Sequence, residues 1–294
     1  MTLNLNGILP PVPTPFEHGH FAPKRLMENL ARWQTTGLAG YLVLGSNGEA
    51  AYLSEAEKLE IVRVARRETP EKILLAGTGL ESTGATQVLT HRAADLGADA
   101  ALVITPNYYQ QHMSKEALRR HYETIAENSP IPILLYNVPK FTHLNLAPDL
   151  VAQLAQHPNI IGMKDSADNL AQLVELREKT PPDFQILLGA DAVFLAGLLH
   201  GMNGAILAIA NIAPQECVAL DQAVQEKRWE EAQALAQRLA PLGRVVVQKY
   251  GVPGLKAALD ELGYFGGEPR PPLLRLKAVE IEEVRGVLKQ VHLS

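Results

Sequence analysis

A (β/α)8 barrel is the fold the sequence predicts, on three observations. Eight short apolar runs, each bounded by Gly, Pro or Asn, recur over the first two thirds of the 294 residues. Stretches with helical periodicity and capping signals separate them, and the runs stand roughly 20 to 32 residues apart, the size of one βα unit. Continuous rather than alternating apolar runs imply parallel strands covered on both faces. An open doubly wound sheet is the competing arrangement, and eight successive units favour the barrel.

In order, the strand candidates are GILPPVPTP at 7–15, GYLVLG at 40–45, KILLAGTG at 72–79, DAALVITP at 99–106, IPILLYN at 131–137, NIIGMK at 159–164, FQILLG at 184–189 and GAILAI at 204–209. Ser54-Glu-Ala-Glu57 fits a capping box, and Ser82 and Ser114 open the next two helices. No linker-like composition interrupts these units, so residues 1–213 are assigned to the barrel. Residues 214–294, with helix-forming text such as Trp229-Glu-Glu-Ala-Gln-Ala-Leu, form a helical extension of the same domain. The segment 192–215 carries no Asp, Glu, Lys or Arg over about the length of a membrane span. Its central His200-Gly-Met-Asn-Gly204 breaks it into a short helix and a strand, so no membrane partner is expected.

Hydrophobic residues at 47% and charged residues at 20% exclude disorder, and a net charge of −5 without like-charge blocks gives no footprint for nucleic acid. A small molecule is the expected partner. The single cysteine, Cys217, leaves no internal disulfide and no CxxC pair, which suits a reducing compartment. The N-terminus lacks a basic n-region and an apolar h-region, so a cytoplasmic location is expected.

Nucleotide and metal motifs fail. There is no GxxxxGK[ST], HExxH or GxSxG, and Gly77-Thr-Gly-Leu-Glu-Ser82 lacks the third glycine of a dinucleotide fingerprint. His18-Gly-His20 has no carboxylate at convincing spacing, so neither a metal nor another cofactor is expected.

In a barrel of this kind chemistry gathers at the C-terminal ends of the strands. Lys164 closes Ile160-Ile-Gly-Met-Lys, where desolvation disfavours an ammonium, and a neutral lysine can attack a carbonyl to form a Schiff base. Alternation puts Ile160, Gly162 and Lys164 on one face, with Gly162 leaving room beneath the lysine stem. Without a special environment, a strand-end lysine simply reaches solvent or pairs with Asp165. Tyr136 closes the preceding strand and is available to transfer protons, although an isolated tyrosine is more often a core residue with a satisfied hydroxyl. Gly45-Ser-Asn-Gly-Glu49 is a turn whose backbone N–H groups and hydroxyl can hold a carboxylate.

These motifs, Gly45-Ser-Asn-Gly-Glu49, Thr105-Pro-Asn-Tyr-Tyr109, Tyr136-Asn-Val-Pro139 and Gly162-Met-Lys-Asp-Ser166, carry a resemblance over essentially the whole chain. The sequence resembles the pyruvate-dependent class I aldolases that include dihydrodipicolinate synthase and N-acetylneuraminate lyase. The resemblance implies a barrel with a C-terminal helical extension, a homotetramer built as a dimer of dimers, a 2-oxo acid substrate and no metal. It makes Lys164 the Schiff-base lysine and Tyr136 the proton carrier, and it assigns Ser46 and Asn47 to the pyruvyl carboxylate and proton relay. Tyr108 becomes the tyrosine inserted into a neighbouring subunit's site, and Gly48, Ser166, Gly189 and Ile206 join the substrate-binding set.

Departures from the family pattern set the substrate expectation. Synthases carry an arginine shortly after the tyrosine motif to hold the carboxylate of aspartate semialdehyde, and Phe141 stands there in this chain. Sialate lyases carry an acidic residue after the strand-seven aspartate and a serine near the end of strand eight, where this chain has Ala192 and Ala208. The motifs look most like 4-hydroxy-2-oxoglutarate aldolase, which releases pyruvate and glyoxylate, and that is the expected activity. The alternative is 4-hydroxy-tetrahydrodipicolinate synthase, provided another cation such as Lys140 replaces the arginine. A ligand-binding protein on an aldolase scaffold is the non-enzymatic alternative.

Overall fold

The computed structural model describes residues 3–293. Its main sheet has eight strands, β1 Gly7–Ile8, β2 Gly40–Val43, β3 Ile73–Gly77, β4 Ala100–Ile104, β5 Ile133–Asn137, β6 Ile160–Asp165, β7 Gln185–Leu188 and β8 Gly204–Ala205. The spatial order is β1-β8-β7-β6-β5-β4-β3-β2, so neighbours in sequence are neighbours in the sheet. A parallel bridge from Pro11 to Leu42 joins the chain after β1 to β2. With helices between the strands and further helices at the C-terminus, this is the predicted (β/α)8 barrel.

Two strands are far shorter than their apolar runs. After Ile8 come Pro10, Pro11, Pro13 and Pro15, none of which has an N–H to give to a ladder. The chain still follows β2, with Val12 N donating to Leu42 O at 2.8 Å and Leu42 N to Pro10 O at 3.0 Å. Beyond Ala205 the second run turns into a 3₁₀ segment, Ala208–Asn211. Buried Asn211 holds that turn, its Nδ2 donating to Ala208 O at 3.0 Å and Pro11 O at 3.1 Å. Hydrophobicity alone does not separate a strand from a buried turn whose backbone a side-chain amide satisfies.

The capping signals hold. Ser54 Oγ accepts from Glu57 N at 3.3 Å and Glu57 Oε2 accepts from Ser54 N at 2.9 Å, while Ser82 and Ser114 cap the helices Thr83–Asp95 and Lys115–Asn128. The uncharged 192–215 stretch divides into the helix Phe194–Leu199, β8 and the 3₁₀ segment. Among the described residues no helix is long and apolar enough to cross a membrane.

The chain forms two compact units, one of Leu75–Ala205 with the N-terminal residues to Asn6, the other of Gly7–Leu74 with Ile206–Ser294. In the first, β4 to β8 run parallel, and Leu102, Leu134, Leu135, Met163, Ile186 and Leu187 are buried. In the second, the helix Pro23–Trp33 is fastened to the C-terminal region: Asn29 Nδ2 donates to Phe265 O at 2.8 Å, its Oδ1 accepts from Phe265 N at 2.9 Å, and Trp33 stacks on Tyr264.

Candidate active site

The first unit places Tyr136 and Lys164 side by side at the C-terminal ends of β5 and β6. They are register partners, as are Asn137 and Asp165 directly after them. Both side chains are buried, at 5% and 4% exposure, and the Lys164 ammonium nitrogen lies 4.6 Å from the centre of the Tyr136 ring. A cation over a ring face is attracted by the π-electrons, and the same arrangement keeps an amine beside a phenol. Lys164 therefore does not reach solvent.

The room beneath the lysine stem comes from a different glycine than expected. A Cβ on Gly189, just after β7, would meet Lys164 Cε and Asp165 O at 2.9 Å each, and Ser166 Oγ closer still. A side chain at 189 would thus displace the lysine. Gly162 instead lies against the neighbouring strand, where a Cβ would run into the Gln185 carbonyl oxygen, its register partner's backbone. The expected alternation through Ile160 also fails. Ile133 pairs with Ile160 and Leu134 with Gly162, so Ile161 is the extra residue of a bulge, which breaks the two-residue period before Gly162.

Asp165 does not neutralise the adjacent lysine. Its Oδ2 accepts from Asn137 Nδ2 at 2.7 Å and Gln172 Nε2 at 3.1 Å, and its Oδ1 from Ala167 N at 2.9 Å. Burial pushes the Asp165 carboxyl above its ordinary value, and these donors pull the other way. Ser166 follows, half-buried, with Ser166 N donating to Asn137 O at 2.8 Å. Among the described residues its buried hydroxyl has no hydrogen-bond partner, so it is an available polar group beside Gly189.

Tyr108 lies apart from that cluster. It is 78% exposed and edge-on to Tyr109, and the backbone N–H groups of Asn107 and Tyr108 both donate to Glu81 Oε2 at 2.9 Å. The turn is fixed while the ring projects outward.

Ser46, Asn47, Gly48 and Ile206 belong to the second unit. Ser46–Gly48 is one 3₁₀ turn, closed by Gly48 N to Gly45 O at 3.0 Å and Glu49 N to Ser46 O at 3.1 Å. Thr14 Oγ1 donates to Gly48 O at 2.7 Å, and a Cβ on Gly48 would meet Val12 O at 3.1 Å, so the turn sits tightly on the segment after β1. Ser46 and Asn47 are half-buried, and Ile206 is fully buried directly after β8.

The sequence reading missed what anchors this turn. Glu49 occupies the left-handed region at φ 55° and is buried, its Oε1 2.6 Å from Lys256 Nζ and its Oε2 accepting from Arg270 N at 2.7 Å. Lys256 also donates to Glu268 O at 2.9 Å and lies 4.4 Å from the centre of the Phe16 ring. Burial lowers the Lys256 ammonium from its ordinary value, and the Glu49 charge opposes that. The available signal was a lone cation inside the apolar helical text Pro253-Gly-Leu-Lys-Ala-Ala-Leu.

Residues 4–291 match the model of the dihydrodipicolinate synthetase family. A 4-hydroxy-tetrahydrodipicolinate synthase of Methanosphaerula palustris is 36% identical over 287 residues, covering 96% of this chain and 98% of that protein. One of Methanothrix thermoacetophila is 35% identical, covering 97% and 96%. The solved dihydrodipicolinate synthase of Acinetobacter baumannii, complexed with pyruvate, superposes with a TM-score of 0.94 at 30% identity, covering 98% of this chain and 99% of that one. These names overturn the expected 4-hydroxy-2-oxoglutarate aldolase activity. The motifs behind that expectation lie around Lys164, Tyr136 and the Ser46–Gly48 turn, and by themselves they do not discriminate the aldehyde partner.

Proposed function

Because the chain belongs to the dihydrodipicolinate synthetase family, we propose that it is a 4-hydroxy-tetrahydrodipicolinate synthase, joining pyruvate to aspartate semialdehyde through a Schiff base on Lys164. The observation that carries this reading is the buried amine of Lys164 held 4.6 Å from the Tyr136 ring on paired strand ends. The names of relatives that align along nearly the whole chain support the choice of aldehyde.

In this mechanism Lys164 gives up a proton, its amine adds to C2 of pyruvate, and water leaves as the iminium forms. The iminium accepts the electron pair when a proton leaves the methyl carbon, giving an enamine. That carbon attacks the aldehyde of the semialdehyde, and the new alkoxide takes a proton. The amino group of the semialdehyde portion then displaces Lys164 at C2, closing the ring and freeing the enzyme. Tyr136 is the group beside the amine that carries protons in these steps.

Ser46, Asn47 and Gly48 are assigned to the pyruvyl carboxylate, and Ser166, Gly189 and Ile206 to the remaining substrate contacts. Tyr108 is assigned to a neighbouring subunit's site in a cytoplasmic homotetramer, a role its exposed ring suits. For the semialdehyde carboxylate the reading needs a cation where the family arginine is absent. Lys140 is that cation: it is exposed on the short helix Pro139–Thr142 directly after the Tyr136 strand, with its ammonium 5.9 Å from the centre of the Phe141 ring.

The test is a condensation assay with pyruvate and aspartate semialdehyde, coupled to reduction of the cyclic product. Turnover with this pair supports the reading. A purified enzyme that consumes pyruvate with other aldehydes but not with aspartate semialdehyde overturns it.

A further inference from the structure

Asn137 and Asp165 are each the residue directly after a reacting group, Tyr136 on β5 and Lys164 on β6. We infer that the Asn137–Asp165 hydrogen bond is a positioning clamp that sets the spacing of Tyr136 and Lys164 from behind, without touching substrate. The inference rests on the Schiff-base reading given above.

Successive residues of a strand point to opposite faces, so a bond between residues 137 and 165 lies behind the pair formed by residues 136 and 164. The two side chains are fully buried and only 2.7 Å apart, Asn137 Nδ2 to Asp165 Oδ2. Backbone bonds continue on either side, Ser166 N to Asn137 O at 2.8 Å and Gly189 N to Asp165 O at 2.7 Å. The clamp therefore reaches Gly189, the residue whose missing side chain leaves space for the lysine stem.

The clamp is itself tied to two further segments. Asn137 Oδ1 accepts from Leu146 N at 2.9 Å, and its Nδ2 also donates to Asn145 Oδ1 at 2.9 Å. Gln172, in the helix Leu170–Lys179, donates to Asp165 and exchanges hydrogen bonds with Asn145 at 2.8 and 3.2 Å. Asp165 receives three donors, from Asn137, Gln172 and Ala167. A carboxylate accepts all three with its two oxygens, whereas an asparagine would turn a donor toward a donor. Burying a carboxylate is costly, and an acid retained there is matched to those donors.

A small displacement of reacting groups lowers the rate far more than it lowers binding, about a hundredfold for 1 Å. Asp165→Asn is accordingly expected to lower kcat per reactive site by about ten- to a hundredfold, with the KM for pyruvate moving by less than about threefold. Reactive sites are counted as chains carrying a borohydride-reduced pyruvyl adduct on Lys164, so unfolded protein does not enter the ratio. The double variant Asn137→Asp with Asp165→Asn reverses donor and acceptor and is expected to recover most of kcat per site. Asn137→Ser keeps the carboxylate, removes its Nδ2 donor, and gives the same loss should Asp165→Asn fail to fold. Unchanged kcat per trapped site in either single variant overturns the clamp, as does a trappable double variant that recovers nothing. Wild-type protein that turns over without trapping at Lys164 instead removes the Schiff-base reading, and the clamp with it.

Discussion

Glu49 and Lys256 form an ion pair 2.6 Å long with each side chain only 1% exposed, joining the end of the Ser46–Gly48 turn to the helix Gly251–Glu261. Removing one partner of such a pair leaves a charge buried alone, which costs about 3–5 kcal/mol. Lys256→Met is therefore expected to lower the unfolding free energy by about that amount in a denaturant titration. Adding Glu49→Gln, which removes the stranded charge, is expected to restore more than half of the loss.

His121 yields a pH dependence. Its Nδ1 lies 2.9 Å from Thr83 Oγ1, and among the described residues its buried Nε2 has no hydrogen-bond partner. Burial pushes this imidazole down to about 4 from 6.5, against a smaller opposing effect of Glu81. The folded state then binds fewer protons than the unfolded state between those values, so stability is lost as pH falls from 6.5 toward about 4. At about 1.4 kcal/mol per pH unit the loss is at most about 3.5 kcal/mol. Unfolding free energies of wild type and His121→Phe, compared at pH 7 and pH 4, should converge or cross by this amount, and parallel curves would contradict the assignment.

Much of this architecture was legible because its signals are local. Eight apolar runs point to the barrel, and the polar residues closing two successive runs put Tyr136 beside Lys164, as the strand register has them. The misplaced features depend on strand neighbours far apart in sequence. Nothing near Gly162 reveals that the Gln185 carbonyl approaches it, or that Gly189 is the glycine under the lysine stem. Asn137, Asn145 and Gln172 look like ordinary strand-end, loop and helix residues until the fold gathers them around Asp165. The aldehyde partner was misread for another reason: the missing arginine at Phe141 was given more weight than the neighbouring Lys140, which the sequence already offered as its substitute.

Lys140 tests that substitute. A charge-assisted hydrogen bond contributes about 1.5–3 kcal/mol, equivalent to roughly 10- to 150-fold in an equilibrium constant. Lys140→Met is expected to raise the KM for aspartate semialdehyde within that range and leave the KM for pyruvate unchanged. Phe141→Arg in the same background is expected to recover part of the loss by offering a bidentate carboxylate partner. Equal changes for both substrates would remove Lys140 from the semialdehyde site.

Tyr136→Phe separates proton transfer from binding. Loss of the phenol leaves the ring beside Lys164 and is expected to lower kcat by about 10²–10⁴-fold while the pyruvyl adduct still forms. Near-normal turnover in correctly folded variant would move the proton role to another group.

The most direct measurement of the central claim is reduction with borohydride in the presence of pyruvate, followed by peptide mass analysis. The Schiff-base account predicts one stable pyruvyl adduct per chain on the peptide carrying Lys164, and no adduct in Lys164→Ala. An adduct on a different lysine, or none in wild-type protein that is turning over, would contradict it.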